Sequence, residues 1–109
     1  MTLGYQDDQP TRADIDAMPG QVALEFGSNQ CTMCRAARPA LAAAIADRPH
    51  VRHIMAADGH GVPLGRSFGI KLWPTLVLLR DGVEVARVVR PASRSDVDAA
   101  FTEVGFDSP

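Results

Sequence analysis

The sequence predicts an α/β fold, a central mixed sheet of four to five strands with helices on both faces. Three observations carry that reading. A short apolar run at residues 22–26 leads through Gly27-Ser28-Asn29 into a long alanine-rich stretch and then a second strand-like run at 51–57. The most apolar run of the chain, Leu76-Val77-Leu78-Leu79, is followed by Asp81-Gly82 and a further β-rich run at 83–89. A last amphipathic stretch closes the order at Gly105.

Each element has a local reason. Residues 2–6 offer a short edge strand. Residues 11–17 read as a short helix, with Thr11 as cap and Asp14 three positions on, a capping-box pattern with Asp in place of Glu; Pro19-Gly20 ends it. The run 22–26 lacks polar alternation, as expected of a strand covered on both faces. Ser28 or Asn29 is positioned to cap the helix that follows. Met33, Ala37, Leu41 and Ile45 recur every four positions in it, and seven alanines between 36 and 46 favour it. Pro39 should kink this helix without breaking it. Asp47-Arg48-Pro49 closes it, and the strand at 51–57 completes a parallel strand-helix-strand unit. Gly59, Gly61 and Pro63 mark a loop before a short helix at 64–68. Asp81-Gly82 turns a central strand into its antiparallel partner. Ser93, with Asp96 three positions on, opens a helix carrying Val97, Ala100, Phe101 and Val104 on one face.

With 109 residues, 46% hydrophobic and 22% charged, the chain fits a single domain over 1–109, its core at about 22–104 and residues 1–21 an N-terminal strand and helix extension. Eleven Lys plus Arg against thirteen Asp plus Glu give a net charge of -2, without a basic stripe to track phosphates, so no nucleic acid partner is expected. No apolar stretch approaches the ~20 residues a membrane span needs. The opening residues have neither a basic n-region nor an apolar h-region, so the expected location is cytoplasmic, without a membrane partner. The protein is expected to be a monomer.

Cys31-Thr32-Met33-Cys34 is the feature that carries chemistry. It falls where the first apolar strand hands over to the long helix, so both thiols lie in that helix's first turn. Residues three apart share a helix face with Cβ atoms ~5–6 Å apart, near the ~3.5–4.5 Å a disulfide requires, so modest tightening closes the bridge. Unpaired N–H groups and the positive dipole end favour thiolate at Cys31, and Arg35 adds a nearby positive charge. Two other readings stand beside this one. Cys-x2-Cys with His50, His53 and His60 downstream echoes half a zinc site, although His50 and His53 are separated by two residues rather than three to five. The pair could also be two inert buried thiols. Glu25, inside the apolar run, is costly to bury ionised, so its pKa should rise toward neutrality, where it could exchange a proton with Cys34; the other reading is a solvated glutamate at a sheet edge. His53 and His60 read as surface residues without a role, and Arg80, Arg87 and Arg90 as a solvated face that could help choose acidic partners.

The chain resembles the thioredoxin family from about residue 22 to 104. Cys31 and Cys34 match the family's redox pair, Pro39 its helix proline, Trp73-Pro74-Thr75 its cis-proline motif and Asp81-Gly82 its hairpin turn. The resemblance implies the thioredoxin fold, a cis Pro74 facing the disulfide, and a residue before it, Trp73, whose backbone groups hold an extended substrate segment. It also places Glu25 where family members carry a buried aspartate that moves protons to and from the resolving thiol. Three departures stand out: Gln30 replaces the usual tryptophan, Thr32-Met33 replaces Gly-Pro, and Trp73 is larger than the usual Ile, Val or Thr. The residues between the cysteines tune the reduction potential across a range of ~150 mV. Trp73 beside Met33 could form an apolar platform for substrate, narrow the groove, or simply fill the core.

The expected activity is therefore protein-disulfide reduction, a thiol-disulfide exchange in cell redox homeostasis. Cys31 is the nucleophile, Cys34 the resolving thiol, Glu25 the proton-transfer partner, and Trp73, Pro74 and Met33 contact substrate. Disulfide-containing proteins are the substrates, no cofactor or metal is required, and an external thioredoxin reductase or equivalent donor regenerates the dithiol. A thioredoxin-fold chaperone or assembly factor without useful turnover is the competing reading; a thiol oxidase or isomerase using the same residues is a third.

Overall fold

The computed structural model describes residues 4–109. Helix α1 spans Arg12–Asp16, β1 Gln21–Gly27, α2 Thr32–Ala46, β2 Arg52–Ala57, α3 Pro63–Ser67, β3 Thr75–Arg80, β4 Val83–Val89 and α4 Arg94–Glu103. The four strands form one mixed sheet in the order β2-β1-β3-β4. β1 runs parallel to β2 and antiparallel to β3, and β3 pairs antiparallel with β4. Of the strand expected at residues 2–6, residues 1–3 lie outside the described residues. The described remainder makes a single parallel bridge, Gln6 to Ala56, on the outer side of β2.

The central position of β1 follows from its apolar run, whose Val22 to Gly27 are all buried. Alternate residues feed two cores. Ala23, Leu76 and Leu78 pack with Ala37, Leu41 and Ile45 of α2 and Val97 and Phe101 of α4. Val22, Leu24, Phe26, Val77 and Leu79 pack on the other face with Ile15, Leu64 and Phe68. β4 is the edge strand, and Val83, Val85 and Val89 are exposed there.

The Thr11–Asp14 capping box forms as expected, because the Asp carboxylate still reaches the Thr11 backbone N–H at 3.0 Å. α2 continues through Pro39 without a break. Asp81 and Gly82 take φ of 50° and 80°, the positive pair that a tight hairpin needs. Ser93 begins α4 but its side chain caps nothing; it pairs with Ser95 Oγ, while Asp96 accepts the Ala92 backbone N–H instead. Gly105 ends α4 at φ 77°, with Phe106 N–H returning to the Phe101 carbonyl and Gly105 N–H to Thr102, a Schellman closure. The capping expected of Ser28 or Asn29 at α2 does not occur. Cys31 itself is the N-cap.

Candidate active site at the start of helix α2

The turn Ser28–Cys31, closed by Cys31 N–H donating to the Ser28 carbonyl at 3.1 Å, delivers the chain from β1 into α2. It leaves Cys31 at the cap with extended backbone, and its sulfur accepts the backbone N–H of Cys34 at 3.3 Å. A sulfur in this place does what a serine or aspartate oxygen does at other helix starts, and does it better as an anion. The two thiols are free, Cys31 partly exposed and Cys34 buried.

Their acidities separate for physical reasons. Partial burial raises the Cys31 pKa, but hydrogen bonding from the Cys34 thiol, the N–H groups of Cys34 and Met33, and the charge of Arg90 outweigh it and hold Cys31 below the ordinary thiol range. Burial pushes Cys34 up to about 11, reinforced by hydrogen bonding and negative charge at Cys31. One nucleophile is poised while the other waits protonated. The cation among the causes lowering Cys31 is Arg90 rather than Arg35, which lines a cavity of about 160 Å³ beside Cys34 together with Tyr5, Asn29, Arg38 and Met55.

Glu25 is fully buried, not at a solvated edge. The expected rise of its pKa is overturned. Burial alone would raise it, but His53, Arg38 and Tyr5 together lower it below the ordinary carboxylate value. Arg38 Nη1 donates to both carboxylate oxygens at 2.5 and 2.7 Å, His53 Nε2 lies 2.9 Å from Oε1, and the Tyr5 hydroxyl donates to Oε2 at 2.6 Å. The surface reading of His53 is thereby corrected. Among the described residues, His50 faces the Phe106 carbonyl at 2.8 Å and His53 faces Glu25, so neither reaches toward a zinc site at the thiols.

No motif marks Tyr5, yet it joins the two halves of the site. Asn29 grips its peptide, accepting Tyr5 N–H at 2.9 Å and donating to its carbonyl at 3.1 Å. Its ring crosses over Gly27 onto Cys34: a Cβ at Gly27 would overlap the Tyr5 ring and lie 2.8 Å from Cys34 Sγ. Glu25, Tyr5 and Cys34 thus form one contiguous polar thread beneath the exposed thiol.

On the other side of the site, the Trp73–Pro74 peptide is cis. Trp73 is half-buried, and its indole N–H donates to Asp58 Oδ2 at 2.9 Å. It is neither pure core filling nor free surface. Met33, on the first turn of α2, is 46% exposed, and Leu72 47%. Arg90 Nε donates to the Trp73 carbonyl at 2.8 Å, so Arg90, exposed like Arg80 and Arg87 as a solvated face requires, is also tied by one nitrogen to the site. Arg87 and Arg80 likewise donate to the carbonyls of Phe68 and Val104.

Comparison with known proteins agrees with this geometry. The thioredoxin family model, described simply as Thioredoxin, matches residues 6–103. Thioredoxin from Chlamydia muridarum is 37% identical over 71 residues, 64% of this chain and 69% of that protein. The structure of reduced thioredoxin 2 from Pseudomonas aeruginosa PAO1 superposes with a TM-score of 0.87 at 46% identity, covering 99% of this chain and 100% of that one. Desulfothioredoxin from Desulfovibrio vulgaris Hildenborough, at 19% identity, shares the fold with a TM-score of 0.77 over 93% of this chain and 96% of its own.

Proposed function

The chain belongs to the thioredoxin family of thiol-disulfide oxidoreductases, and from that premise we propose that it is a protein-disulfide reductase. The observation that carries the reading is the split between a partly exposed Cys31 held toward thiolate and a buried Cys34 held as thiol. A stable binder without turnover has no need of that split, and the chaperone reading is not favoured.

In the forward reaction the Cys31 thiolate attacks one sulfur of a substrate disulfide. The substrate S–S bond breaks, a mixed disulfide forms, and the departing substrate sulfur leaves as thiolate and takes a proton. Cys31 is then no longer anionic, which removes a charge that holds the Cys34 pKa up. Cys34 loses its proton and attacks Cys31 Sγ, releasing the second substrate thiol; the substrate has gained two electrons and the protein has become a disulfide. Glu25 assists the proton transfer at Cys34 through Tyr5. A phenol donating to a carboxylate has a more basic oxygen, and that oxygen belongs to the ring packed on Cys34. Glu25 rests as the anion, so it can take the proton relayed from Cys34 through Tyr5 and return it to solvent, rather than starting as a neutral acid.

Pro74, the backbone of Trp73 and the exposed Met33 are the surfaces for an extended substrate segment. No helix among the described residues is long and apolar enough to cross a membrane. A monomer in a reducing compartment such as the cytoplasm, recharged by an external thioredoxin reductase or equivalent, suits this chemistry. Insulin reduction with dithiothreitol tests the reading: acceleration over dithiothreitol alone is expected, and none would contradict it. Equilibration against glutathione buffers should give a potential well below about -120 mV, the value typical of a strong oxidant.

A further inference from the structure

Arg90 holds a backbone conformation that its side chain disfavours. Its φ is 49°, in the left-handed region where a Cβ crowds the chain. Asp81 shares this feature, but it sits in the hairpin turn that demands it. Arg90 lies just past β4, and non-glycine outliers of this kind concentrate at functional sites. Two bonds hold it there: its N–H donates to the Pro74 carbonyl at 2.9 Å and its Nε to the Trp73 carbonyl at 2.8 Å.

The other two arginines of the hairpin are otherwise engaged. Arg87 is committed to Glu84 and the Phe68 carbonyl, Arg80 to the Val104 carbonyl. Arg90 spends only Nε, and among the described residues its two terminal nitrogens have no partner. Its charge is felt at Cys31. Asp58, the carboxylate on this side of the site, is tied to the Trp73 indole. With the Trp73 carbonyl already capped by Nε, the two terminal nitrogens of Arg90 remain as donors for an incoming group. Leu72 and Val89, the chain neighbours of Trp73 and Arg90, are exposed apolar residues, as is Met33 on the first turn of α2.

We propose that Arg90 sets substrate choice, favouring disulfides in extended protein segments that carry a carboxylate next to the attacked cysteine. This rests on the reductase reading of Cys31. A guanidinium fixed on one nitrogen presents its remaining pair to a carboxylate in bidentate geometry, with little further loss of side-chain freedom.

The test uses three disulfide peptides identical except for Glu, Gln or Lys beside the target cysteine, reduced by the wild-type protein and by Arg90→Gly, Arg90→Gln and Arg90→Lys. Glycine adopts the positive φ freely, so Arg90→Gly removes the charge without straining the backbone. The wild type should prefer the Glu peptide over the Lys peptide by about three- to tenfold at low salt, with the ratio shrinking as salt rises. Arg90→Lys should keep part of that ratio, and Arg90→Gly and Arg90→Gln should bring the peptides within about twofold. Equal wild-type rates, or a preference that survives Arg90→Gly, would overturn the assignment while leaving the reductase reading intact. Failure of the wild type to reduce any of the peptides would sink both.

Discussion

The Tyr5 hydroxyl donates to Glu25 Oε2 at 2.6 Å, tying a residue of the N-terminal segment to the buried carboxylate of the central strand. Because the same ring packs on Cys34, the contact links chain start, sheet and redox pair. Tyr5→Phe keeps the ring and removes the link. Oε2 retains Arg38, so the stability loss should be modest, about 1 kcal/mol in a denaturant titration. Cys31 alkylation should keep its pH profile, while release of substrate from a trapped mixed disulfide should slow. Unchanged release would remove Tyr5 from the proton path.

Glu25→Gln should destabilise the protein more, by about 2–4 kcal/mol at neutral pH, since Arg38 loses its charge partner in a largely buried setting. Glu25 titrates below its unfolded value, so its ionised network contributes fully above the ordinary carboxylate range and is lost as pH falls through the lowered folded value. The gap between wild type and Glu25→Gln should therefore be widest near neutrality and close in acid. A gap that widened on acidification would mean that Glu25 is buried as the neutral acid.

Much of this site could be foreseen, and the part that could not has a common cause. The redox pair was legible because a strand-to-helix handover and a three-residue spacing are both local. The Asp81-Gly82 turn and the capping box at Thr11 were legible for the same reason. The partners of Glu25 come from three separate places: Tyr5 near the chain start, Arg38 on α2 and His53 on β2. The parallel register that sets Ala23 beside His53 brings in the imidazole, the packing of α2 on the sheet brings in Arg38, and the Gln6 to Ala56 bridge with the Asn29 bonds brings in Tyr5. One signal was available. Arg38 lies four residues after Cys34, next to Ala37 and three before Leu41, so the thiol side of an apolar helix carried an arginine in need of an anion. An arginine so placed favours an ionised Glu25, the direction the structure shows.

Gly27→Ala should be costly although glycine is replaced by the smallest side chain. The new Cβ would strike the Tyr5 ring and press on Cys34 Sγ, both held by other contacts. Overpacking of this kind costs about 1–3 kcal/mol. Thermal unfolding measures it, and an unchanged melting temperature would show that Tyr5 can leave its slot freely.

Asp58→Ala should release the Trp73 indole, whose N–H is held at 2.9 Å. A loss of about 1 kcal/mol in stability is expected. If Trp73 shapes the substrate surface, KM for insulin should rise more than kcat falls. Equal kinetics in the variant would leave Trp73 as a packing residue alone.

The most direct test of the whole account is the pH dependence of alkylation of each cysteine in the reduced native protein, resolved by mass spectrometry. Cys31 should react with a midpoint below the ordinary thiol range, and Cys34 should stay unmodified until the pH approaches about 11 or the protein unfolds. Two thiols that react together at the ordinary midpoint, or a Cys31 that does not react at all, would contradict the division of labour from which the proposed reductase activity follows.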